Sequence, residues 1–241
     1  GELWSIFSFL MPGYLPPYKN FCARFEKPIV QEEDANAVRR LNQLTGPFIL
    51  RRMKADVLRE LPPKTENVHR IELDTEQRKL YLAAVVDARE KLRAAKPEDK
   101  MAVFAVLMRL RQICCDPRLV ADNWSGGSAK LDACMELVTA AVEGGHRILL
   151  FSQFTSMLDL LAQRLDEAGV SHFTLQGSTP KPVRAERVRR FNAGEASVFL
   201  ISLRAGGTGL NLTAADIVIH YDPWWNVAAQ NQATDRAYRI G

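Results

Sequence analysis

From Arg147 onward, short apolar segments alternate with amphipathic segments whose apolar residues recur every three or four positions. The first kind is typical of buried strands, and the second of helices packed against a sheet. Strands are predicted at 147–152, 172–176, 197–202 and 216–221, and helices at 157–168, 183–191 and 227–238. Strands that alternate with helices over short connections form a parallel sheet covered on both faces. The sequence therefore predicts an α/β fold with a doubly wound parallel sheet.

The residues before this alternating region are mainly helical in pattern. Apolar spacing predicts a helix over 31–44, and Asp74 is positioned to cap the start of another. A third predicted helix, 100–115, is apolar on most of its faces, so we expect it to be buried. Between these helices, residues 66–73 alternate polar and apolar side chains, which predicts a strand.

The composition excludes several classes of protein. Of the 241 residues, 47% are hydrophobic and 25% are charged, as in ordinary soluble globular domains. No apolar run approaches the ~18 residues of a membrane span, so no membrane partner is expected. The four cysteines form no Cys-x-x-Cys motif and the four histidines are scattered, so no metal site is predicted. The net charge of +4 permits nucleic-acid binding but does not by itself indicate it.

Polar and glycine-rich segments follow the predicted strands. Ser152-Gln153 and Gly177-Ser178 each come at the end of one, and Ser202 precedes Gly206-Gly207-Thr208-Gly209. Ligands of parallel sheets bind where the strands end, so we expect these segments to line one edge as a groove for a phosphate backbone. The glycines would let backbone N–H groups approach a phosphate. The alternatives are helix caps for the serines and an ordinary turn for the glycines.

The segment Gln232-Ala-Thr-Asp-Arg-Ala-Tyr-Arg-Ile-Gly241 places Arg236 and Arg239 one helical turn apart. Two guanidinium groups that reach one point suit a phosphate whose negative charge rises in a transition state. The alternative is a solvated helix face. The sequence contains no G-x-x-x-x-G-K-[ST] loop, so the usual cradle for the phosphates of the nucleotide is not in this chain.

Two further features are typical of contact with nucleic acid. The predicted helix 183–191 carries four arginines, Arg184, Arg187, Arg189 and Arg190. They form either a solvated face or a surface for DNA phosphates, and Arg184 is the nearest to the Gly177 loop. Trp224 and Trp225 are adjacent, so we expect one to pack and the other to project. The projecting ring either stacks on nucleic acid or covers the edge of the sheet.

Ordered segments along the whole chain carry a resemblance to a known family. They are Glu2-Leu-Trp-Ser-Ile-Phe7, Phe48-Ile-Leu-Arg-Arg52, Glu60-Leu-Pro-Pro-Lys-Thr-Glu66, Leu110-Arg-Gln-Ile-Cys-Cys-Asp-Pro-Arg-Leu119, Ser128-Ala-Lys-Leu131, Ile148-Leu-Leu-Phe-Ser-Gln-Phe154, Leu175-Gln-Gly-Ser-Thr179, 202–216, Tyr221-Asp-Pro-Trp-Trp-Asn226 and 232–241. The chain resembles the C-terminal, second RecA-like lobe of Swi/Snf-type superfamily 2 helicase-like ATPases. This is the motor family of chromatin remodellers and their bacterial relatives. The last five segments are similar to helicase motifs IV, IVa and V, the extra motif after V, and motif VI.

The resemblance implies a translocase on double-stranded DNA, with a RecA-like lobe of the P-loop NTPase type and a helical protrusion. ATP with Mg²⁺ would be held mainly by a first RecA-like lobe of the same polypeptide, and Arg236 and Arg239 would act as arginine fingers. Positions that match contacts to the nucleotide are Gly209, Asn211 and Gln232. Positions that match contacts to the DNA backbone are Lys130, Ser152, Gln153, Gly177, Ser178, Arg184, Ser202, Gly206 and Gly207. Trp225 matches a position that couples DNA to the cleft between the lobes.

The family also implies a division into three parts. Residues 1–64 would hold the end of the first-lobe module and part of the helical protrusion, and 65–127 the entry strand of the second lobe with more of the protrusion. Residues 128–241 would form the helicase C-terminal RecA-like domain, which the family continues beyond the position of Gly241. Val227 stands where the family often has proline, and Ala129 where it often has glycine. Neither change removes a functional group.

The expected activity is DNA-dependent ATP hydrolysis by the full protein, with none by this chain alone, because Walker A and Walker B are absent. Binding to duplex DNA would be independent of sequence, and a nucleoprotein complex or a polymerase is a candidate substrate. The compact protrusion favours a bacterial source and a nucleoid-associated place in the cytoplasm; a eukaryotic source would imply the nucleus. The alternative is a non-catalytic module that binds DNA or a protein. The intact pair Arg236 and Arg239 favours the motor.

Overall fold

The computed structural model describes residues 1–50, 65–94, 100–206, 210–225, 230–231 and 234. The chain divides into two compact units, Gly1–Glu60 and Leu61–Gly241. Most of the predicted helix 227–238 lies outside the described residues. The division at residues 64 and 127 implied by the resemblance stays a prediction.

The first unit is helical. Its elements are α1 (Glu2–Leu10), α2 (Tyr18–Phe21), a π-helix (Cys22–Glu26), α3 (Lys27–Gln31), α4 (Ala35–Thr45) and a 3-10 turn (Gly46–Phe48). The helix predicted at 31–44 begins later than expected. Glu33 has a positive φ of 52° that interrupts the chain after α3, and the Asp34 carboxylate then caps α4 by accepting from the Asn36 N–H at 2.8 Å.

Early in the second unit, a segment of alternating polar and apolar residues does not form a strand. Residues 65–74 have no regular secondary structure, and Val68 is 84% exposed. The strand predicted at 66–73 is therefore wrong, because an alternating pattern forms a strand only where a neighbouring strand pairs with it. The cap predicted at Asp74 is confirmed, since its carboxylate accepts from the Gln77 N–H at 2.7 Å.

Two long helices, α5 (Thr75–Ala94) and α6 (Lys100–Cys115), follow. The Gln77 side-chain amide donates to the Ile113 carbonyl at 2.8 Å. This bond joins the start of α5 to the end of α6. The expected burial of α6 is wrong for its first half, where Met101 is 74% exposed. Only its end, with Ile113 and Cys115, lies in the interior.

The rest of the second unit is the predicted alternation of helices and strands. Its elements are α7 (Ala129–Glu143), β1 (Ile148–Ser152), α8 (Thr155–Glu167), β2 (His172–Leu175), α9 (Lys181–Asn192), β3 (Val198–Ser202), α10 (Leu203–Gly206) and β4 (Ile217–His220). The four strands form one sheet in the order β2-β3-β1-β4. All three neighbouring pairs are parallel. The α/β class and the parallel sheet are confirmed.

Alternate residues of β1 point to opposite sides of the sheet, and both sides are buried. Ile148 and Leu150 pack with Leu161 of α8 in one apolar cluster. Leu149 and Phe151 pack with the α9 residue Phe191 in another. A sheet covered on both faces leaves only its edges and strand ends for ligands, which places the candidate site at the strand ends.

Two further findings concern membrane spans and metal sites. Among the described helices, none is long and apolar enough to cross a membrane. Within the same part of the chain, no group of three or more His, Cys, Asp or Glu side chains is placed to hold a metal ion. The four cysteines are free thiols.

Candidate nucleic-acid interface

The parallel register gathers the predicted polar residues along one edge of the sheet. Ser152 at the end of β1 is the register partner of Ser202 at the end of β3. Gly177 and Ser178 follow β2, the next strand beyond β3, and Asp222 follows β4 on the other side of β1. The strand ends therefore form a single row, as the sequence predicted. Contact of this row with DNA stays a prediction.

The two serines of the row are buried and serve the local backbone. The Ser152 hydroxyl accepts from the Phe154 N–H at 3.1 Å, just before α8. The Ser202 hydroxyl accepts from the Ala205 N–H at 3.3 Å. A single helical turn, α10, follows β3, and most of the glycine-rich turn predicted at 206–209 lies outside the described residues. The Ser202 hydroxyl thus caps α10, whereas Ser152 closes a local turn before α8, whose N-cap residue Phe154 has no side-chain cap.

Asp222 was not predicted as a functional residue, yet it organises the centre of the row. Its carboxylate is buried and accepts from the Gln153 N–H at 3.0 Å. Burial raises the pKa of Asp222, although the Ser152 hydroxyl, the Gln153 N–H and the cations Lys130 and Arg111 oppose the shift. The available signal was its place directly after a predicted strand, where polar residues of α/β proteins tend to act.

Lys130, in the first turn of α7, lies against the segment after β4. Its Nζ is 4.9 Å from the centre of the Tyr221 ring, within range of a cation–π contact. Tyr221 is buried and its hydroxyl donates to the Cys115 carbonyl at 2.8 Å, and burial raises the pKa of that hydroxyl. Lys130, Asp222 and Arg111 also line a cavity of about 300 Å³. The segment after β4 is thereby attached to α6 and α7.

The turn after β2 is the most open part of the row. The Thr179 hydroxyl accepts from the Gln176 N–H at 3.0 Å, and the Thr179 N–H donates to the Gln176 carbonyl at 3.1 Å. These bonds close a turn that leaves Gly177 and Ser178 exposed. A Cβ built on Gly177 would meet nothing within 4 Å. A phosphate backbone therefore has free access to this turn.

Most of the basic helix α9 is engaged within the chain. Arg187 donates to the Thr174 carbonyl. Arg189 pairs with Glu186 at 2.6 Å, and Arg190 with Glu195 at 2.7 Å. These contacts favour a local role for three of the four arginines: Arg187 is half-buried against β2, and only Arg189 and Arg190 fit the solvated face. Arg184 lies in the first turn of α9, the helix that follows the Gly177 turn along the chain, and its contact with DNA stays a prediction.

The two tryptophans after β4 differ in exposure. The Trp225 side chain is 50% exposed, and Trp224 is less so. Their ring centres are 4.5 Å apart, and the Arg111 Cζ lies 4.9 Å from the Trp225 ring centre. Trp225 is thus the more exposed ring, although it also packs against Phe104, and its contact with nucleic acid stays a prediction.

Several predicted residues lie wholly or partly beyond what the structure describes. Gly207, Gly209, Gln232, Arg236 and Arg239 are outside the described residues. Gly206 ends α10. Asn211 is exposed, and its carbonyl accepts from the Asn192 side-chain amide at 2.9 Å. Their roles toward a nucleotide or DNA stay predictions.

One described contact joins Thr234 to the end of β4. The Thr234 Oγ1 lies 2.8 Å from the His220 Nε2 at the end of β4. The His220 ring also stacks on Phe151 of β1, with ring centres 5.4 Å apart. This contact ties Thr234 to the central strands, while Arg236 and Arg239 lie outside the described residues.

Comparison with known families accounts for nearly the whole chain. Residues 1–119 match the model of an SNF2-related domain, and residues 129–241 match the model of a helicase conserved C-terminal domain. The chain belongs to the Swi/Snf-type helicase-like family. This Swi/Snf-type assignment agrees with the order of segments found in the sequence.

Individual Swi/Snf-type relatives extend the comparison. An uncharacterized ATP-dependent helicase of Mycoplasma genitalium is 38% identical over all of this chain, which spans 23% of that relative. YwqA of Bacillus subtilis is 41% identical, and the chain spans 27% of it. The chain thus covers about a quarter of the length of these curated relatives.

A solved Swi/Snf-type structure shares the fold. The SWI2/SNF2 ATPase core of Sulfolobus solfataricus in complex with double-stranded DNA is 32% identical, with a TM-score of 0.64. The match covers 99% of this chain and 51% of that one. The RecA-like type of the sheet, expected from the resemblance, is confirmed by this likeness.

Proposed function

We propose that this chain is the second motor lobe of a DNA-dependent ATPase that translocates along double-stranded DNA. One observation carries the proposal: the parallel register sets the ends of β1 and β3, the Gly177 turn and the segment after β4 in one row. Such a row suits the backbone of a duplex, which is gripped through phosphates and without base readout. The related Sulfolobus solfataricus core was solved with double-stranded DNA, which supports this partner.

The role assigned to each part of the row follows from its accessibility. Gly177 and Ser178 are exposed, so we assign their backbone N–H groups to binding phosphate, and we assign Arg184 of the following helix as an added cation. Ser152 and Ser202 are buried, so we assign them to fixing the adjacent backbone, through which their segments reach DNA. Trp225 projects from the same edge. Lys130 holds Tyr221 and adds positive charge behind the row.

The nucleotide is assigned mainly to a first RecA-like lobe of the same polypeptide. The sequence of this chain lacks a Walker A loop, and its described residues offer no cluster of metal ligands for Mg²⁺. Closure of the two lobes would bring Arg236 and Arg239 to the γ-phosphate, and would place Gly209, Asn211 and Gln232 near the nucleotide. Arginine fingers contribute about 10³–10⁵ to the rate in phosphoryl transfer. Closing and opening would shift this lobe along the DNA.

For the substrate in the cell, we propose a class of complexes, namely proteins bound to duplex DNA. A motor that grips duplex backbone acts on whatever is bound to that duplex, so a nucleoprotein complex or a polymerase fits. Bacterial relatives at 38% and 41% identity favour a nucleoid-associated place in a bacterial cytoplasm.

The test uses the parent protein, in which this chain is joined to a first lobe. ATP hydrolysis is measured with and without duplex DNA, for the parent and its Arg239→Ala variant. Strong stimulation by duplex that falls at least ~10³-fold in the variant is expected. Arg89→Ala, which removes an exposed arginine of α5, is the matched control and should hydrolyse ATP normally.

Two results would contradict the proposal. The first is a parent that binds duplex and hydrolyses no ATP, which would establish a non-catalytic binding module. The second is turnover by this chain alone that survives Arg236→Ala and Arg239→Ala, because no first lobe is then needed.

A further inference from the structure

The segment 221–225, which follows β4, is held from two sides. Toward the sheet, Asp222 accepts from the Gln153 N–H at 3.0 Å. Toward the helices, the Tyr221 hydroxyl donates to the Cys115 carbonyl at 2.8 Å, at the end of α6. We call residues 221–225 the tryptophan segment. It connects the row of strand ends to α6.

Arg111 of α6 makes the most extensive contact with the tryptophan segment. Its Nη2 donates to the Pro223 carbonyl at 2.7 Å. Its Cζ lies 4.9 Å from the Trp225 ring centre and 5.8 Å from that of Trp224. A planar guanidinium can lie on an aromatic ring and donate in its own plane at the same time, which an ammonium cannot do.

A second side chain of α6 holds the same ring. Phe104 precedes Arg111 by seven residues, two turns of helix, so both lie on one side of α6. The Phe104 and Trp225 ring centres are 5.8 Å apart at an interplanar angle of 68°, an edge contact. Trp225 is therefore oriented by α6 through Phe104 and Arg111, and half of its surface is still open to solvent.

The surroundings of Arg111 indicate that the contact is specific. Its Nε is buried and has no hydrogen-bond partner among the described residues, which costs free energy. Beside it is the cavity of about 300 Å³ that Pro223, Lys130 and Leu107 also line. Dense packing therefore does not force the tryptophan segment into place, and the guanidinium contacts restrain it on this side together with Phe104 and the Tyr221 hydroxyl.

We propose that Arg111 is a positioning residue that orients Trp225 at the DNA-facing edge and so couples DNA binding to ATP hydrolysis. The proposal rests on the proposed function and adds α6, outside the row of strand ends, to the machinery. Loss of Arg111 frees the Trp225 ring to turn. Duplex then still binds through the rest of the row, and its stimulation of hydrolysis is weakened.

The first test measures ATP hydrolysis by the parent protein as a function of duplex concentration. Arg111→Ala is expected to lower the maximal DNA-stimulated rate about tenfold, the effect of losing one charged hydrogen bond or cation–π contact. The KM for ATP and the rate without DNA should stay unchanged. Arg109→Ala, which removes an exposed arginine of the same helix, is the control and should stay within about twofold of the parent.

Arg111→Lys separates positioning from simple attraction of DNA. Lysine keeps the charge and lacks the planar fork, so the stimulated rate should stay about tenfold low. Recovery of the parent's rate with lysine would overturn the proposal, because charge alone would then suffice. This variant also carries the test if Arg111→Ala does not fold, which thermal unfolding of each variant checks.

A double-mutant cycle with Trp225→Ala asks whether Arg111 acts through that ring. If it does, Arg111→Ala has no further effect on the stimulated rate in the Trp225→Ala background. Independent effects that multiply would overturn the proposal. A parent that duplex stimulates, with an unaffected Arg111→Ala variant, would refute this inference alone. A parent that duplex does not stimulate would refute the proposed function, and the inference with it.

Discussion

The Gln153 N–H donates to the Asp222 carboxylate at 3.0 Å, across 69 positions of sequence. This bond joins the end of β1 to the tryptophan segment after β4. Both partners belong to the row of strand ends, and Asp222 is buried there. A buried carboxylate that fixes a neighbouring strand end makes the geometry of the row depend on one ionisable group.

The variant Asp222→Asn tests whether the negative charge of the Asp222 carboxylate destabilises the folded protein. Burial raises the pKa of Asp222, so its ionised form is penalised in the folded protein at neutral pH. Asparagine keeps an acceptor for Gln153 and carries no charge. At pH 7 the variant should unfold with a free energy equal to or above the parent's. This advantage should shrink as pH falls through the raised folded pKa, and it should disappear well below the unfolded pKa of ~3.9, where the aspartate is protonated in both states.

Asp222→Ala is the companion variant, because it removes the acceptor as well. Its unfolding free energy should be lower than that of Asp222→Asn by ~1–3 kcal/mol at any pH. Urea unfolding from pH 4 to pH 8 measures both. Equal losses for asparagine and alanine at pH 7 would show that the charged form is required.

Asp216 at the opposite edge of the sheet should respond to pH in the other direction. Its Oδ2 lies 2.6 Å from the His146 Nδ1, and its Oδ1 accepts from the Arg147 N–H at 3.0 Å. Burial alone would raise the pKa of Asp216, but these hydrogen bonds bring it below its ordinary value. Its stabilising effect is therefore present above the unfolded pKa of ~3.9 and is lost as pH falls through the lower folded value.

The variant Asp216→Asn measures that effect. At pH 7 it should lower the unfolding free energy by less than ~1 kcal/mol, because both partners are about half exposed and solvent weakens the pair. The difference from the parent should disappear well below pH 4. A loss that persists unchanged in acid would mean that the charge of Asp216 is not what stabilises the fold.

The contact between Thr234 and His220 predicts a link from β4 to the arginine pair. Thr234→Val removes the hydroxyl that lies 2.8 Å from the His220 Nε2 and keeps the shape of the side chain. DNA-stimulated ATP hydrolysis by the parent should fall ~3–10-fold, the effect of about 1 kcal/mol, with unchanged affinity for duplex. Thr75→Val, at an exposed helix start, is the control. Equal rates of ATP hydrolysis for Thr234→Val and Thr75→Val would show that the Thr234 hydroxyl does not contribute to catalysis.

Gly177 offers a test of the DNA face that does not disturb the fold. A Cβ there meets nothing within 4 Å, so Gly177→Glu should fold normally and bring a negative charge to the open turn. Affinity for duplex should fall several-fold at low salt, and the loss should fade as salt rises and screens the charge. Gly46→Glu is matched, since Gly46 also has open space. Fluorescence anisotropy titrations of labelled duplex with the parent protein and with both variants, at several salt concentrations, measure this difference in affinity.

The sequence was sufficient to predict the parallel sheet, but it was not sufficient to predict the contacts between elements that are distant along the chain. The central strands β1 and β3 are short apolar runs in which every residue is buried, the pattern typical of parallel strands covered on both faces. The segment 66–73 has an equally regular alternation but no pairing partner, and Val68 is exposed. In α6, apolar composition overstated burial, because composition does not say which neighbours a helix has.

The site was predictable where function depends on position along a strand. Ser152, Gly177 and Ser202 were correctly placed at one edge because parallel strands must end there, and their contact with DNA stays a prediction. Asp222 and Arg111 were missed as partners because their bonds span 69 and 112 positions. No local pattern indicates such pairs, since they arise only when the segments pack.

Displacement of a triplex-forming strand by the parent protein tests translocation most directly. A third strand is bound to a duplex, and its release is followed with ATP present and absent. The account predicts release that requires ATP, is abolished by Arg239→Ala, and leaves the two duplex strands paired. Duplex-stimulated ATP hydrolysis without any release of the third strand would contradict movement along DNA.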